Sequence, residues 1–149
     1  MATRSRIGIL NPDSSITSIY CHYDGYLKGV GQTLVRHYKD EDKIRALISL
    51  GDISYLEPEV SPPDGAGHSF DAPIRGVTVA YGRDRGETGV GAATHSVDHW
   101  PSCGAEFLYL YNPDSKEWQF ILVYMDKSWK SVNLGLCVEA LSTKDDGAE

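Results

Sequence analysis

The segment Ser18 to Tyr26 contains residue types that a plain core strand or a plain loop would not need. It reads Ser-Ile-Tyr-Cys-His-Tyr-Asp-Gly-Tyr, and it carries a thiol, an imidazole, a carboxylate and three phenols. A strand that only packs would use Val, Ile and Leu at such positions. Cys21, His22 and Asp24, joined by Arg83, could serve a small hydrolase or transferase, in which the thiolate is the nucleophile.

The order of these residues along a strand argues against that chemistry. Adjacent strand residues point to opposite faces, so the Cys21 thiol would need a histidine from elsewhere in the chain to lower its pKa. The alternative is that Cys21 is a small buried residue, on one face with Ile19 and Tyr23, and that Asp24-Gly25 ends the strand in a turn. We favour this alternative and assign no catalytic residue.

A metal site is a further possibility that the residue types raise. The chain has neither a Cys-x-x-Cys pair nor a His-Glu-x-x-His motif, and these are common zinc signatures. We therefore expect polar loop histidines, with no metal and no cofactor. The residues considered are Cys21, His22, His37, His95, His99 and Cys103.

The segment Tyr81-Gly-Arg-Asp-Arg-Gly86 follows a predicted strand and suggests anion binding. Arg83 and Arg85 could clasp a phosphate or a carboxylate through paired hydrogen bonds, and Asp84 could hold one of them or accept from a ribose hydroxyl. The segment matches neither the phosphate-binding loop nor the dinucleotide fingerprint. An Arg–Asp network that braces the loop against the first hairpin, for example through Asp24, explains it equally well, and we favour that bracing role.

A small-molecule hypothesis joins these segments into one pocket. Arginines would take the phosphates of a nucleotide-like ligand while tyrosines stack on its base. The candidate ligand-binding residues are Tyr20, His22, Tyr23, Asp24, Tyr26, Arg36, Tyr81, Arg83, Asp84 and Arg85.

Composition limits the class of protein. The chain has 149 residues and a net charge of −7, so one domain is expected and binding to a nucleic-acid backbone is not. No apolar run is long enough to span a bilayer, and the first residues lack the apolar region of a secretory signal. Three widely spaced cysteines indicate reduced thiols, and we expect a cytoplasmic protein without a membrane partner.

Two hairpins frame the predicted domain. Each contains the turn Asn-Pro-Asp-Ser, at residues 11–14 and 112–115, between strand-like runs. Helices are predicted at 31–38 and after Asp40, with Gly51 as the stop of the second. The expected fold is α+β: an antiparallel sheet of about five strands, built from the two hairpins, with two or three helices packed on one face.

The remaining segments are less regular. A short strand is predicted at 76–81, with loops at 57–74 and 86–104 and one helical turn near 96–100. Residues 132–141 fit either a helix or a strand, and we favour a helix. The predicted domain is 1–141, followed by a flexible acidic tail at 142–149.

The second hairpin is rich in aromatic residues. A base-stacking platform is one interpretation, but without a basic rim cross-strand aromatic pairing is the simpler one. A face left exposed would be a surface for an oligomer or a partner. The rings are those of Phe107, Tyr109, Tyr111, Trp118, Phe120 and Tyr124.

Six segments, taken together and in order, form a recognisable pattern: Thr3-Arg-Ser-Arg-Ile7, the segment 18–26, residues 31–38, Leu47-Ile-Ser-Leu-Gly-Asp-Ile-Ser54, Tyr81-Gly-Arg-Asp-Arg-Gly-Glu87 and the aromatic hairpin. In this order they resemble a family of small proteins encoded in bacteriophage and prophage genomes. The resemblance spans most of the chain outside the two long loops and the tail. The chain departs from it at Tyr23, where relatives tend to have Trp, and in a longer loop before Cys103.

The resemblance implies context and no mechanism. It points to a small phage-encoded accessory protein in the host cytoplasm, which would bind, inhibit or occlude a host factor, for example one of host defence. The nucleotide-like ligand is the alternative, and the Cys/His-dependent enzyme is the second alternative. The expected partner is accordingly a host protein or a small molecule, with self-association into a homo-oligomer also open.

Overall fold

The computed structural model describes the backbone of residues 2–102, 104–124, 126 and 128–147, and side chains up to residue 141 of that set. Within this part the strands form one mixed sheet in the order β4-β3-β2-β1-β6-β7-β8, while β5 pairs with β2 outside that path. The strands are β1 Ser5–Leu10, β2 Ser15–Cys21, β3 Ile53–Tyr55, β4 Val79–Ala80, β5 Ala93–Ser96, β6 Phe107–Asn112, β7 Glu117–Val123 and β8 Trp129–Asn133. The helices are α1 Gln32–His37, α2 Glu41–Ser49, α3 Tyr81–Arg85 and α4 Leu134–Gly147.

Both predicted hairpins are present, and the mixture of helices with a mostly antiparallel sheet is confirmed. The strand number is larger than predicted, and the hairpins meet through a parallel pair, with Ser5 of β1 opposite Phe107 of β6. A parallel pair needs a long connection that no local signal announces. The added strands β3, β4 and β5 are two to four residues long, which is too short for a readable alternation.

The two hairpin turns differ in spite of their shared sequence. In the first, the Ser14 amide donates to the Asn11 carbonyl at 3.1 Å, and Ser14 has a φ of +67°. In the second, the turn is one residue wider, because the Lys116 amide donates to the Asn112 carbonyl at 2.8 Å. The prediction of turns at both places is confirmed.

The main core lies between one face of the sheet and helices α1, α2 and α4. Four aromatic side chains of the second hairpin are buried there: Tyr109, Tyr111, Trp118 and Phe120. Tyr109 stacks on Phe120 at 5.6 Å and Tyr111 packs against Trp118 at 5.3 Å, as predicted for cross-strand aromatic pairs.

A smaller core lies on the opposite face of the sheet. Trp100 begins a short 3₁₀ turn, Trp100–Ser102, and its side chain is only 1% exposed. Its Nε1 donates to Ser18 Oγ at 2.9 Å. A Cβ at Gly8 would approach Ile16 Cγ2 to 2.7 Å, so only glycine lets this layer pack on the strand.

The helix predictions hold with changed boundaries. The helix predicted at 31–38 is present as α1, and a π-helical turn that was not predicted, Leu27–Gly31, precedes it. Asp40 occupies the N-cap position of α2 as predicted, but its side chain makes no capping hydrogen bond. Gly51 adopts a φ of +77°, the left-handed conformation expected after a helix.

Three smaller predictions changed. The strand expected at 76–81 covers only Val79–Ala80, and α3 follows at once. At the helical turn expected near 96–100, the His99 amide donates to the Ser96 carbonyl in a turn that follows β5, and the 3₁₀ turn comes next. The ambiguous segment 132–141 contains both elements, since β8 ends at Asn133 and α4 begins at Leu134. Flexibility of residues 142–149 stays a prediction, and 148–149 lie outside the described residues.

Among the described residues, no helix combines the length and the apolar character needed to cross a membrane.

Candidate binding surface

The residues after β2 form a tightly bonded turn. The amides of His22 and Tyr23 donate to the carbonyls of Ile53 and Ser54, at 3.1 and 2.9 Å, so pairing with β3 continues past Cys21. Asp24 then takes a φ of +57°, which is uncommon for a residue other than glycine. The predicted turn is therefore present, and it is anchored on a neighbouring strand.

The π-helical turn depends on Asp24 and two glycines. The Val30 amide donates to the Asp24 carbonyl at 2.9 Å. A Cβ at Gly29 would lie 2.1 Å from that carbonyl oxygen. Gly25 is held from both sides, because its amide donates to the Thr3 carbonyl at 2.9 Å and its carbonyl accepts from Tyr109 Oη at 2.6 Å. The close approaches explain why glycine occupies these positions.

Six aromatic side chains gather on the surface around this turn, and we call them the aromatic strip. Tyr20 Oη and His22 Nδ1 share a hydrogen bond of 2.6 Å, and the rings of His22 and Tyr23 meet edge to face at 4.5 Å. Tyr23 and Tyr26 are 44% and 43% exposed. The members of the strip are Tyr20, His22, Tyr23, Tyr26, Phe70 and Tyr81.

The strip continues from β2 to α3. Burial raises the pKa of Tyr81, and the neighbouring Tyr23 adds to this rise. A hydrogen bond with Ser54 and the charge of Arg85 act in the opposite direction. The rings of Tyr81 and Phe70 pack at 5.7 Å. Sequence reasoning missed Phe70, which lies in a loop without periodicity.

Arg83 is part of a brace, not of an open anion site. Its Nη1 donates to the Val60 carbonyl and its Nη2 to the Thr78 carbonyl, both at 2.6 Å. Its Nε donates to Asp84 Oδ1 at 2.8 Å. Arg83 therefore has the bracing role that the sequence favoured. It binds the backbone of the segment 57–78, whereas the sequence suggested the first hairpin, through Asp24.

His68 completes this brace and was not singled out in the sequence. Its Nδ1 accepts from the Ile74 amide at 2.9 Å, so the proton belongs on Nε2, which lies 3.2 Å from Asp84 Oδ2. The side chains of His68 and Asp84 are 1% and 3% exposed. No local motif reveals the pair, because it joins residues sixteen positions apart across a loop.

The Asp84 carboxylate is the centre of the brace. Burial acts to raise its pKa, but hydrogen bonds from Arg83 and from the Ala80 amide, with the charge of Arg83, hold the pKa below its usual value. Asp84 therefore stays ionised inside the protein, where its carboxylate accepts hydrogen bonds from Arg83 and the Ala80 amide.

Arg85 and Arg36 have different surroundings from Arg83. The Arg85 guanidinium lies 4.3 Å from the ring centre of Phe70 and 5.1 Å from that of Tyr81, and it pairs with Glu87. Arg36 lies on α1, and its side chain is exposed. When the Gln32 side-chain amide is oriented so that both its oxygen and its nitrogen have hydrogen-bond partners, the Arg36 guanidinium donates to the Gln32 oxygen. Among the described residues no hydrogen bond, ion pair or ring contact joins Arg36 to the strip.

The thiol-enzyme arrangement is not assembled. Cys21 is fully buried, and burial raises its pKa to about 12. Its thiol contacts the Tyr23 carbonyl at 3.5 Å, while His22 is bonded to Tyr20. Cys21 is buried as expected, together with Ile19, but Tyr23 points to solvent and does not share their face.

The described residues among those considered for a metal site do not converge. His95 and His99 stack on each other with their ring centres 5.7 Å apart. Within the described part of the chain, no group of three or more His, Cys, Asp or Glu side chains could hold a metal ion. Cys103 lies outside the described residues.

The larger cavities lie away from the strip. One of about 410 Å³ is lined by Asp98, Pro101, Ser102, residues 104–106, Ile121 and Val123. Another of about 400 Å³ is lined by residues 39–42 with Tyr111 and Lys116, and a third of about 320 Å³ lies between the two Asn-Pro-Asp-Ser turns. None of the candidate ligand-binding residues lines these cavities, so the cavities lie apart from the strip.

Comparison with known proteins returned no matching family model, no matching curated protein and no matching solved structure.

Proposed function

We propose that this chain is a binding protein without chemistry of its own, and that it acts through the aromatic strip. The observation that carries the proposal is the exposure of Tyr23 and Tyr26 on a turn that hydrogen bonds and close glycine contacts hold in one conformation. Tyrosine is enriched among the residues that dominate binding energy at protein interfaces. A rigid turn lowers the entropy lost on binding.

Two further observations favour a macromolecular partner over a small ligand. The strip lines none of these larger cavities, whereas small-molecule sites are usually concave and bury most of the ligand. Arg83, the first candidate for a phosphate, already donates to two backbone carbonyls and to Asp84.

The biological context of the proposal comes from the sequence resemblance. A phage-encoded accessory protein in the host cytoplasm can act in a one-to-one complex, by covering the working surface of a host factor such as a defence component. The net charge of −7 suits a partner with a basic surface.

A nucleotide-like ligand is the second candidate, and Arg85 favours it. Its guanidinium lies over Phe70 and Tyr81, next to the exposed Tyr23. A phosphate could replace Glu87 on Arg85 while a base stacks on the strip.

The test is capture of partners from host lysate by the tagged protein, with proteins and small molecules both identified by mass spectrometry. We expect one host protein in near-equal amount, lost when Tyr23→Ala and Tyr26→Ala are combined. Tyr124→Ala is the matched control, because Tyr124 is 50% exposed and directly follows β7. Capture unaffected by the double change would contradict the proposed surface, and a phosphorylated metabolite without protein would favour the second candidate.

A further inference from the structure

The two ends of the sheet differ in how their outer strands are covered. At one end lies β4, where side chains of the brace occupy backbone groups. Asp84 accepts from the Ala80 amide at 2.8 Å. Arg83 donates to the carbonyl of Thr78, the residue before the strand, at 2.6 Å. At the other end lies β8. An uncovered outer strand is a template for pairing with another chain, and proteins commonly block it.

The hydrogen bonds of the β7–β8 hairpin fix which backbone groups of β8 face outward. The Tyr124 amide donates to the Ser128 carbonyl at 2.8 Å, just before β8 begins. Bonded and unbonded positions alternate along an antiparallel pair. Lys130 therefore bonds to β7, whereas Trp129 and Ser131 direct their amides and carbonyls away from it. Within the described part of the chain, no other group occupies these outward amides and carbonyls.

The side chains of β8 hold the strand in the sheet and leave its outer edge accessible. Trp129 packs against the smaller core and Val132 against the main core, while Lys130 and Ser131 are exposed. Helix α4 follows the strand directly but packs over β7, the π-helical turn and α1. Because these elements lie on the inner side of β8, their contacts with α4 leave the outer edge uncovered.

We propose that β8 pairs with β8 of a second copy of this chain, antiparallel and about a two-fold axis at Ser131. In this register Ser131 lies opposite its own counterpart, and Trp129 lies opposite Asn133 of the other copy. The outward backbone groups of each strand then meet those of the other, as a two-fold interface requires. The small side chain of Ser131 leaves room for close approach at the axis.

Charge favours this register. Centring the pair on Lys130 would place two lysines directly opposite each other, which is unfavourable. Centring it on Ser131 places Lys130 opposite Val132 of the other copy, and the like charges are separated.

The apolar layer beside β8 favours a second copy as the occupant. Val123 is 46% exposed there, and the cavity of about 410 Å³ lies against Ile121 and Val123. Trp129, the residue opposite Val123, is only partly buried. Residues opposite each other in an antiparallel ladder point to the same face. The two-fold pairing therefore joins the partly open smaller cores of two copies into one continuous layer.

This inference goes beyond the proposed function and does not depend on it. The aromatic strip lies near β2 and α3, whereas β8 ends the sheet on the side of β7. A dimer through β8 thus leaves both strips uncovered. Two strips on one particle would strengthen binding to a partner that presents its site twice.

Sedimentation velocity over a concentration series tests the dimer. We expect a reversible monomer–dimer equilibrium, weakened at least about tenfold by Ser131→Lys, because this variant places two cations face to face at the axis. Ser131→Ala keeps the backbone groups and should leave the dimer intact. Ser61→Lys adds the same charge at an exposed residue outside β8 and should also leave it intact. A protein that stays monomeric at millimolar concentration, a dimer that Ser131→Lys leaves unchanged, or equal weakening by Ser61→Lys would overturn the inference.

Amide hydrogen exchange followed by NMR locates the contact. The amides of Trp129 and Ser131 should exchange rapidly in dilute protein and slowly as the dimer forms. The amides of Lys130 and Val132 are bonded to β7 and should be protected equally at every concentration, so they are the internal control. A dimer without this alternation pairs through another surface, and that result would also overturn the inference.

Discussion

Arg83 and Arg85 are two residues apart, and tertiary contacts give them opposite roles. Arg83 donates to the Val60 and Thr78 carbonyls and to the nearly buried Asp84. Arg85 is half exposed and contacts two rings and Glu87. Both satisfied the sequence criterion for an anion clasp, since that criterion considers residue type and spacing and cannot include a carbonyl supplied by a distant loop.

At the residue scale, we expect Arg83→Ala to lower the free energy of unfolding by about 3 kcal/mol, because hydrogen bonds to a charged group are lost and buried acceptors remain. Arg85→Ala is the matched control and should cost about 1 kcal/mol or less, the range of an exposed cation–π contact. Urea unfolding followed by far-UV circular dichroism measures both. An Arg83→Ala protein as stable as the wild type would contradict the bracing role of Arg83.

At the scale of elements, the π-helical turn Leu27–Gly31 decides how the strip is presented. It follows the strained Asp24, and it connects the end of β2 to α1. Its formation depends on the close contact between Gly29 and the Asp24 carbonyl, which no periodicity in the sequence indicates. The helix predicted at 31–38 is thus preceded by a turn of a different kind, whose conformation depends on contacts with neighbouring residues.

Gly29→Ala tests this element. Helix propensity alone predicts that the change stabilises the protein by about 1 kcal/mol. The contact predicts the opposite sign, a loss of about 2 kcal/mol or more, because the added Cβ would lie 2.1 Å from a backbone oxygen. Gly67→Ala is the control, since nothing lies within 4 Å of a Cβ there and its φ is not positive. Thermal unfolding decides between the two signs, and a stabilised Gly29→Ala protein would contradict the structure of the turn.

At the scale of the whole molecule, the sheet has an apolar layer on each face, and Cys21 lies in the larger one. It is 0% exposed on a central strand, in the same core as Tyr109 and Leu134. A buried thiol of raised pKa reacts with an alkylating reagent only when the surrounding structure opens. Cys21 is therefore a natural reporter of global unfolding.

We expect Cys21 to resist iodoacetamide at pH 8 in the native protein, and to react at the rate at which the whole domain opens. Cys137, which is partly exposed, should react faster and serves as the internal control. Peptide mass spectrometry follows each thiol separately through a urea series. Rapid alkylation of Cys21 in the native protein would contradict its burial and would favour the hypothesis of a Cys/His-dependent enzyme.

Much of the local architecture was predictable, and the site was predictable only in part. The hairpins follow from proline and Asp at fixed turn positions, and α2 follows from Ile44, Leu47 and Ile48, all buried as their spacing requires. Tyr20, His22, Tyr23 and Tyr81 were predicted as one set, and the structure brings them together. Arg36 was predicted with them and lies apart, because sequence reasoning could join residues by type but could not place α1 relative to α3.

The sequence by itself determined the turns, the amphipathic helix and the aromatic hairpin, because each depends on interactions between residues a few positions apart. Only the tertiary structure decided the parallel pairing of β1 with β6, the inclusion of Phe70 in the strip and the contact of His68 with Asp84. These features join residues separated by long connections. Their energy comes from burial and from hydrogen bonds that exist only once the chain has folded, so no local pattern can specify them.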